Sequence, residues 1–278
     1  MLCRDKTATA RKNRNKKFAY ANKYKKDWVC LLAGYNLTSP KGEGAMQLRQ
    51  GEGLPLEGLL LVDKPANTTS FKITHKIKNI LNVKKTGHCG TLDPAATGLL
   101  LILVGKAVKQ QENFMKKDKV YTSSFLLGTV TNTGDLDGNI ISKKDFSHIT
   151  FDEIEKALNT FRGEILQTPP MYSAVNHQGQ KLYKLARKGI TVERKPRKVF
   201  IKEAKILSYN EGLLDIRIEC SSGTYIRSIA GDLGELLGCG ASVAKLRREK
   251  IDIYDVKDAI TQEDFNNKEK IISKIIML

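Results

Sequence analysis

Residues 87–98 read GHCGTLDPAATG and run directly into the apolar stretch 99–104, LLLILV. Three glycines and a proline within twelve residues indicate a tight loop, and the apolar run predicts a buried strand after it. The carboxylate in this loop, Asp93, has two interpretations. In the first, Asp93 followed by Pro94 is a helix N-cap, and the Asp-Pro pair by itself favours this interpretation. In the second, Asp93 is a reactive carboxylate, and the nearby glycines favour it because they allow the backbone to lie close to a ligand.

The rest of the hydrophobic pattern predicts an alternation of helices and strands without βαβ periodicity. We expect strands over residues 58–63, 99–104, 119–130, 199–207 and 213–220. Helices are expected after an N-cap at Ser70, after the Thr150 capping box, over residues 182–187 and 225–237, and from a second box at Thr261. This mixture predicts an α+β fold with a mixed, mostly antiparallel central sheet flanked by helices and loops.

Charge is the strongest signal in the composition. The 47 lysines and arginines exceed the 30 acids, which leaves a net charge of +17. A surplus of this size is typical of a chain that binds a polyanion, most often nucleic acid, although a basic surface kept for solubility is the alternative. Residues 1–52 are predicted to be a disordered basic extension, because twelve of the basic residues and only three acids lie in the first fifty positions. Residues 53–278 are predicted to form the folded domain.

Several other site types find little support. The five cysteines are widely spaced, which argues against a disulfide framework or a zinc site, and no apolar run reaches membrane-spanning length. We expect a cytoplasmic protein, with organellar import from the basic N-terminus as the alternative. Residues 133–139, TGDLDGN, resemble the start of a calcium loop, but Phe146 occupies the position of the final ligand. A hairpin turn with surface carboxylates is the preferred interpretation.

Three further groups are candidates for a binding pocket. Tyr121 suits either a strand core or a platform for a base. Tyr225 and Arg227, in SSGTYIRS, follow a Ser/Gly turn at a spacing that can bring a ring and a guanidinium to one rim. Residues 246–248, Leu-Arg-Arg, suit a base pocket beside phosphates or an ordinary helix end.

Five segments, taken together and in order, resemble the TruB family of tRNA pseudouridine synthases. They are LLLVDKPANTTSF, VKKTGHCGTLDPAATGLLLILVGKA, TPPMYSAVNHQGQKLYKLARKG, CSSGTYIRSIAGDLGELLGCG and LRR. The resemblance covers about residues 58–255 and implies the pseudouridine synthase fold, in a form that lacks the C-terminal PUA domain of many members. Asn176 departs from the family pattern, in which a lysine is usual.

The resemblance also implies the activity, which is isomerisation of uridine 55 in the T arm of tRNA to pseudouridine after base flipping. It implies Asp93 as the nucleophile, Arg227 as the partner that orients its carboxylate and lowers its pKa, and Tyr225 as the residue near C5 of the base. No cofactor and no metal are expected, and the expected state is a monomer without an obligate protein partner. Substrate binding is implied for four further residues: Lys64, His88, Tyr121 and Leu246.

Two other functions remain as alternatives. The first is a tRNA-folding chaperone in which catalysis is secondary or lost, since base flipping requires opening of the tRNA elbow. A chaperone alone has no need of Asp93, so the sequence favours the enzyme. The second is a basic carboxylate hydrolase, which has only Asp93, Asp135 and Asp137 in its support.

Overall fold

The structure, a computed structural model, describes residues 56–278, so the predicted extension 1–52 lies outside the described residues. The strands are β1 (Gly58–Lys64), β2 (Thr86–Cys89), β3 (Thr97–Val104), β4 (Lys119–Leu127), β5 (Thr129–Thr131), β6 (Ile140–Lys143), β7 (Gly163–Gln167), β8 (Asn176–His177), β9 (Gln180–Lys181), β10 (Arg197–Asn210), β11 (Leu213–Cys220), β12 (Ala241–Ile251) and β13 (Tyr254–Asp255). The α-helices are α1 (Ser70–Leu81), α2 (Gln111–Met115), α3 (Phe151–Asn159), α4 (Leu182–Ala186), α5 (Ile226–Leu236) and α6 (Lys268–Ser273).

One large sheet forms the centre of the fold. Its strands lie in the order β1-β3-β12-β4-β11-β10-β7, while β2 pairs with β3 and β13 pairs with β12. Every pairing in it is antiparallel except that of β12 with β3, which joins Arg247 to Thr97 and Arg248 to Gly98. The predicted α+β class with a mostly antiparallel sheet is therefore confirmed.

The strands β1 and β3 are buried on both faces. Leu60, Leu100 and Ile102 pack on one face against α1 and α6. Leu59 and Leu101 pack on the other face with residues that include Phe114 of α2. A strand covered on both faces has no polar side to display, which explains the unbroken apolar runs in the sequence.

The strands β4, β10 and β11 are covered by helices on one face only. Ile154 of α3 and Ile229 of α5 pack there against Phe125, Ile216 and Ile218. The alternation of β11 follows from this arrangement, since every second residue enters the core. This helix-covered face also contains the first turn of α5, from which Arg227 extends.

Three predicted local features differ from the structure. The N-cap of α1 is Thr69, because its hydroxyl accepts a hydrogen bond from the Lys72 amide, whereas Ser70 is the first helical residue. The strand predicted over residues 119–130 is interrupted at Gly128, which adopts φ +76°. The box at Thr261 begins a short 3-10 helix, Gln262–Asn266, and α6 follows it.

The strand β12 was missed by the sequence patterns. Residues 246–248 lie in the middle of this strand, so their interpretation as a helix end is wrong. Its register shifts between Val243 and Lys245, which marks a bulge at Ala244. Bulges redirect side chains and are frequent beside active sites.

The parallel pairing of β3 with β12 depends on Gly98. This residue has φ +102°, and a Cβ atom there would lie 2.3 Å from the carbonyl oxygen of Arg248. Only glycine permits both the backbone conformation and the approach of the two strands. The strand β3 can therefore begin directly at the end of the Asp93 loop.

The capping box of α3 provides a test of local stability. The Thr150 hydroxyl accepts from the Glu153 amide, and the Glu153 carboxylate accepts from the Thr150 amide at 2.8 Å. Thr150→Ala is expected to lower the free energy of unfolding by about 1 kcal/mol, a fall in melting temperature of about 2–4 °C measured calorimetrically. Thr160→Ala, at the exposed other end of the helix, is the control, and equal falls for both variants would contradict the capping role.

Candidate active site

Asp93 lies in the loop between β2 and β3, and no helix begins there. The Ala96 amide donates to the Asp93 carbonyl at 3.1 Å, which closes a turn, and the chain then enters β3. The N-cap interpretation of the Asp-Pro pair is therefore wrong. The Asp93 side chain is 40% exposed and is free to act as a reactive group.

Two buried side chains hold this loop from below. The Ser70 hydroxyl accepts from the Leu92 amide at 2.9 Å and contacts the Leu92 carbonyl at 3.1 Å. The Lys64 ammonium donates to the carbonyl of Pro94 at 3.1 Å and to those of Pro65 and Thr68 at 2.9 Å. Lys64 is fully buried, and its three donors tie the Asp93 loop at Pro94 to the connection between β1 and α1 at Pro65 and Thr68. Burial lowers the pKa of Lys64 to about 8, against the attraction of Asp93.

Arg227 forms an ion pair with Asp93. Its Nη2 lies 3.0 Å from Oδ2 of Asp93, and its side chain is only 7% exposed. Nη1 donates to the carbonyl of Thr133, and Nη2 also donates to that of Tyr172, both at 2.8 Å. The guanidinium is therefore fixed on three sides, and it holds the carboxylate in one orientation. The pairing predicted by the resemblance is present.

A second carboxylate, from Asp135, faces the same guanidinium. Oδ2 of Asp135 lies 3.6 Å from Nε of Arg227. The predicted hairpin is confirmed, since β5 pairs with β6, but the expectation that this turn carries only surface carboxylates is wrong for Asp135. Arg227 thus lies between two acids, an arrangement that no sequence motif indicated.

The pKa of Asp93 is raised above its usual value. Desolvation by the surrounding loop is the largest cause, Arg227 opposes it, and the negative charge of Asp135 adds to the rise. The expected lowering by Arg227 is therefore real but smaller than the effect of desolvation. A carboxylate in this state is a better proton acceptor and nucleophile than one of ordinary pKa.

A small cavity opens beside the ion pair. It has a volume of about 50 Å³ and is lined by Asp93, Ala95, Ala96, Asp135, Leu136, Asp137, Arg227, Val243, Ala244, Lys245 and Leu246. The predicted pocket residue Leu246 lies in this wall, next to the bulge at Ala244. A wider groove of about 480 Å³ begins on the other side of Ala95 and Leu246.

Tyr121 lies in the core and not in the wall of either cavity. Its side chain is 8% exposed and packs in the same cluster as Leu92 and Ala96 of the loop. Burial raises the pKa of its hydroxyl, the charge of Arg248 opposes this rise, and the charge of Asp93 adds to it. Tyr121 thus lies near Asp93 but belongs to the core.

Tyr225 is the N-cap residue of α5, two positions before Arg227. Its amide donates to Oε1 of Gln167 at 2.7 Å, and Nε2 of Gln167 donates to its carbonyl at 3.0 Å. The buried Gln167 side chain therefore fixes the start of α5 as a paired strand would. Gln167 was not among the predicted site residues, and its position at the end of β7 gives no sequence signal.

His88 lies on β2, partly exposed, at the base of the loop. Its Nδ1 is 3.3 Å from the Thr74 hydroxyl and its Nε2 is 3.2 Å from the Thr91 hydroxyl. Burial and the charge of Arg248 lower the pKa of His88. The ring is therefore held in place as a mainly neutral imidazole at neutral pH, close to the loop of Asp93.

Residues 56–278 contain neither a metal site nor a membrane-spanning helix. No group of three or more histidine, cysteine or acidic side chains is arranged to hold a metal ion. No helix in this part of the chain is long and apolar enough to cross a bilayer.

Two family models match the chain consecutively. Residues 78–226 match the model described as TruB family pseudouridylate synthase, N-terminal domain. Residues 227–277 match the model described as tRNA pseudouridylate synthase B C-terminal domain. Asp93 lies in the first match, and the boundary falls between Ile226 and Arg227.

Curated relatives carry a consistent name. The tRNA pseudouridine synthase B of Endomicrobium trichonymphae is 60% identical over 223 residues, which cover 80% of this chain and 97% of the relative. The protein of the same name from Protochlamydia amoebophila is 43% identical and covers 89% and 98% of the two chains.

Solved structures show the same fold. A chain in a crystal structure of a Cbf5-Nop10-Gar1 complex aligns with a TM-score of 0.61 and 26% identity over 78% of this chain. A chain in the structure of an H/ACA RNP bound to a substrate RNA containing 2′-deoxyuridine aligns with a TM-score of 0.59 and 25% identity. This chain spans 58% of each of those chains.

Proposed function

Since the chain belongs to the TruB family of pseudouridylate synthases, we propose that it converts uridine 55 in the T arm of tRNA to pseudouridine, with Asp93 as the nucleophile. The family and the relatives establish the coarser part of this statement, which is that the protein is a tRNA pseudouridine synthase and an isomerase. The observation that carries the finer part is the position of Asp93, a partly exposed carboxylate oriented by a buried arginine beside a cavity.

The reaction proceeds without gain or loss of atoms from the nucleotide as a whole. Asp93 attacks either C1′ of the ribose or C6 of the uracil, and the bond between N1 and C1′ breaks. The uracil then rotates, C5 forms a new bond to C1′, and the bond to Asp93 breaks, which releases the carboxylate. Loss of the proton from C5 and gain of a proton at N1 complete the isomerisation. Both forms of attack require an ionised carboxylate with a free lone pair.

Two residues support the carboxylate and the base in this scheme. Arg227 keeps Asp93 oriented and offsets part of the desolvation that raises its pKa. Tyr225, whose backbone is fixed by Gln167, provides the phenol nearest to C5 of the rotated base. A phenol in this position can accept the C5 proton directly or through water.

Substrate binding requires that the uridine leave its stack in the RNA. His88 occupies the space that the base vacates, Tyr121 stacks on the extruded base, and Leu246 contacts its edge. Lys64 contributes by holding the Asp93 loop at the Pro94 carbonyl.

The pocket must widen when the base enters. A cavity of about 50 Å³ has room for only about three or four waters. Tyr121 does not line this cavity and is only 8% exposed, so the base can stack on its ring only after the pocket has opened toward it. Stacking of the base on Tyr121 stabilises the opened form.

A labelled substrate tests the proposed target. The enzyme is incubated with a tRNA transcript that contains 5-tritiated uridine, and tritium released to water is counted. We expect release of one tritium per tRNA, and none from a transcript in which uridine 55 is changed to cytidine. Release from both transcripts would overturn the assignment of the position. Tight tRNA binding without release would instead favour the tRNA-folding chaperone.

A further inference from the structure

Arg248 is a buried cation without a carboxylate partner. Its side chain is 1% exposed, and it forms no ion pair with any acid in residues 56–278, whereas the adjacent Arg247 pairs with Asp63 at 2.8 Å. Burial of an unpaired charge opposes folding by several kcal/mol before compensation. A residue kept under that penalty calls for a function that a neutral side chain does not provide.

The hydrogen bonds of Arg248 join the two ends of the Asp93 loop. Its Nε donates to the carbonyl of Leu99 at 2.7 Å, and its Nη2 donates to the carbonyl of Gly90 at 2.9 Å. Gly90 precedes Asp93 by three residues, and Leu99 follows it by six. One rigid guanidinium therefore sets the separation between the residues at which the loop leaves β2 and enters β3.

The fit at the first of these contacts is close. Gly90 has φ +80°, and a Cβ atom there would lie 3.2 Å from Nη1 of Arg248. Glycine therefore allows both the left-handed backbone and the approach of the guanidinium. A side chain at position 90 would therefore press against the Arg248 guanidinium.

Arg248 also lies next to the strand that carries Tyr121. It is opposite Tyr121 in the pairing of β12 with β4, and its charge opposes the rise in the pKa of the tyrosine hydroxyl. Leu92 and Ala96 of the loop belong to the same core cluster as Tyr121. Arg248 thus joins the ends of the loop to the strand pair that carries the ring on which the base is proposed to stack.

We propose that Arg248 is a positioning residue, which sets the distance between the Asp93 carboxylate and the Tyr121 ring by closing the loop with its two backbone hydrogen bonds. This inference rests on the proposed function of Asp93 and Tyr121. Arginine is required because its planar guanidinium reaches the carbonyls of Leu99 and Gly90 at fixed angles, which the flexible point charge of lysine does not reproduce.

Arg248→Lys keeps the positive charge but replaces the planar guanidinium with an ammonium group. Since an error of about 1 Å in a reacting group reduces the rate by about 10²-fold, we expect kcat under single-turnover conditions to fall by about that factor. The Kd for tRNA is expected to stay within about threefold, because Arg248 is buried away from the RNA. Arg217→Lys is the matched control. Arg217 lies on β11, away from the Asp93 loop, and pairs with Glu219 of the same strand and Glu203 of β10. The kcat of this variant should be unchanged.

Hydrogen exchange gives a readout that does not depend on activity. Two amides of the Asp93 loop are hydrogen-bonded. That of Leu92 donates to the Ser70 hydroxyl, and that of Ala96 donates to the Asp93 carbonyl. In Arg248→Lys we expect faster exchange at these amides, with unchanged exchange in β4 and β11. If wild-type enzyme releases no tritium from uridine 55, the proposed function fails, while this comparison still tests Arg248.

Gly90→Ala disturbs the contact between the loop and the Arg248 guanidinium while Arg248 itself is unchanged. We expect the same fall in kcat, the same local exchange and a Kd within about threefold. Unchanged kcat in a folded Arg248→Lys variant would overturn the proposal. Accelerated exchange throughout the sheet in both variants, or failure of both to fold, would also overturn it, because the residue would then be structural only.

Discussion

Asp93→Asn is expected to abolish isomerisation while the protein stays folded and continues to bind tRNA. The amide has the shape of the carboxylate but lacks its nucleophilic charge, so a fall in kcat of at least about 10⁴-fold follows if the residue forms the covalent bond. Tritium release with enzyme in excess over labelled tRNA measures this fall. Binding, measured by filter retention, is expected to change less than threefold.

The same variant has an expected effect on stability. Because the pKa of Asp93 is raised on folding, the unfolded chain holds the ionised form more easily. The contribution of this group to stability is full below the pKa of the unfolded chain and is lost as pH rises through the higher folded value. At neutral pH a neutral asparagine therefore leaves the melting temperature unchanged or higher.

An exposed carboxylate before α3 provides the control for Asp93. Asp145→Asn removes an acid that contacts only its near neighbours, Ser147 and His148, and is expected to retain full activity. If Asp93→Asn releases tritium at the wild-type rate, the nucleophile is a different group. Asp135, on the same guanidinium, would then be the first to examine.

Arg227→Met is expected to lower both activity and stability. It leaves Asp93 and Asp135 without the cation between them, and it leaves the carbonyls of Thr133 and Tyr172 without their donor. Removal of one partner of a buried pair destabilises by about 3–5 kcal/mol, and we expect the lower end because Asp93 remains partly solvated. Denaturant unfolding at pH 7 measures the loss.

The pH profile separates the electrostatic role of Arg227 from its structural role. In the proposed reaction activity needs ionised Asp93, so the rate is expected to rise with pH through the pKa of that group. The acidic limb of the wild-type profile should lie above the ordinary aspartate value of about 3.9, and removal of Arg227 should move it to higher pH. Arg227→Lys, which keeps the charge, is expected to move it less. An unmoved limb in both variants would contradict this assignment.

Arg217→Met provides the stability control for Arg227. Arg217 pairs with Glu203 and Glu219 where all three side chains are partly exposed. Its loss should lower the free energy of unfolding by at most about 1 kcal/mol. Equal losses for the two arginine variants would show that burial does not distinguish the two pairs.

Elements with strong local signals were predictable. The apolar run of β3, the alternation of β11 and the Thr150 box each specify one conformation from neighbouring residues, and the structure confirms them. The strand β12 lacked such a signal. Its residues alternate only up to the bulge at Ala244, and its charged side chains depend on partners far away in sequence, such as Asp63 for Arg247.

The same distinction applies to the site. Asp93 was identifiable because its loop is unusual in composition, and Arg227 because a resemblance named it. Asp135 and Gln167 belong to the site through contacts with residues that are distant in sequence. Asp135 is 92 positions from Arg227, and Gln167 is 58 positions from Tyr225. An interaction at that separation leaves no periodicity in the sequence.

The segment between β7 and β10 leaves and rejoins the sheet at a single point, since Gln167 pairs directly with Arg197. The sheet register is therefore independent of how many residues lie between them, and natural variation in the length of this segment is compatible with an unchanged catalytic centre. Two of its carbonyls bond to α5: that of Thr168 accepts from the Ser228 hydroxyl, and that of Tyr172 accepts from Arg227. Descent with insertion or deletion can therefore reshape the outline of such an enzyme while residues 168–172 remain under constraint.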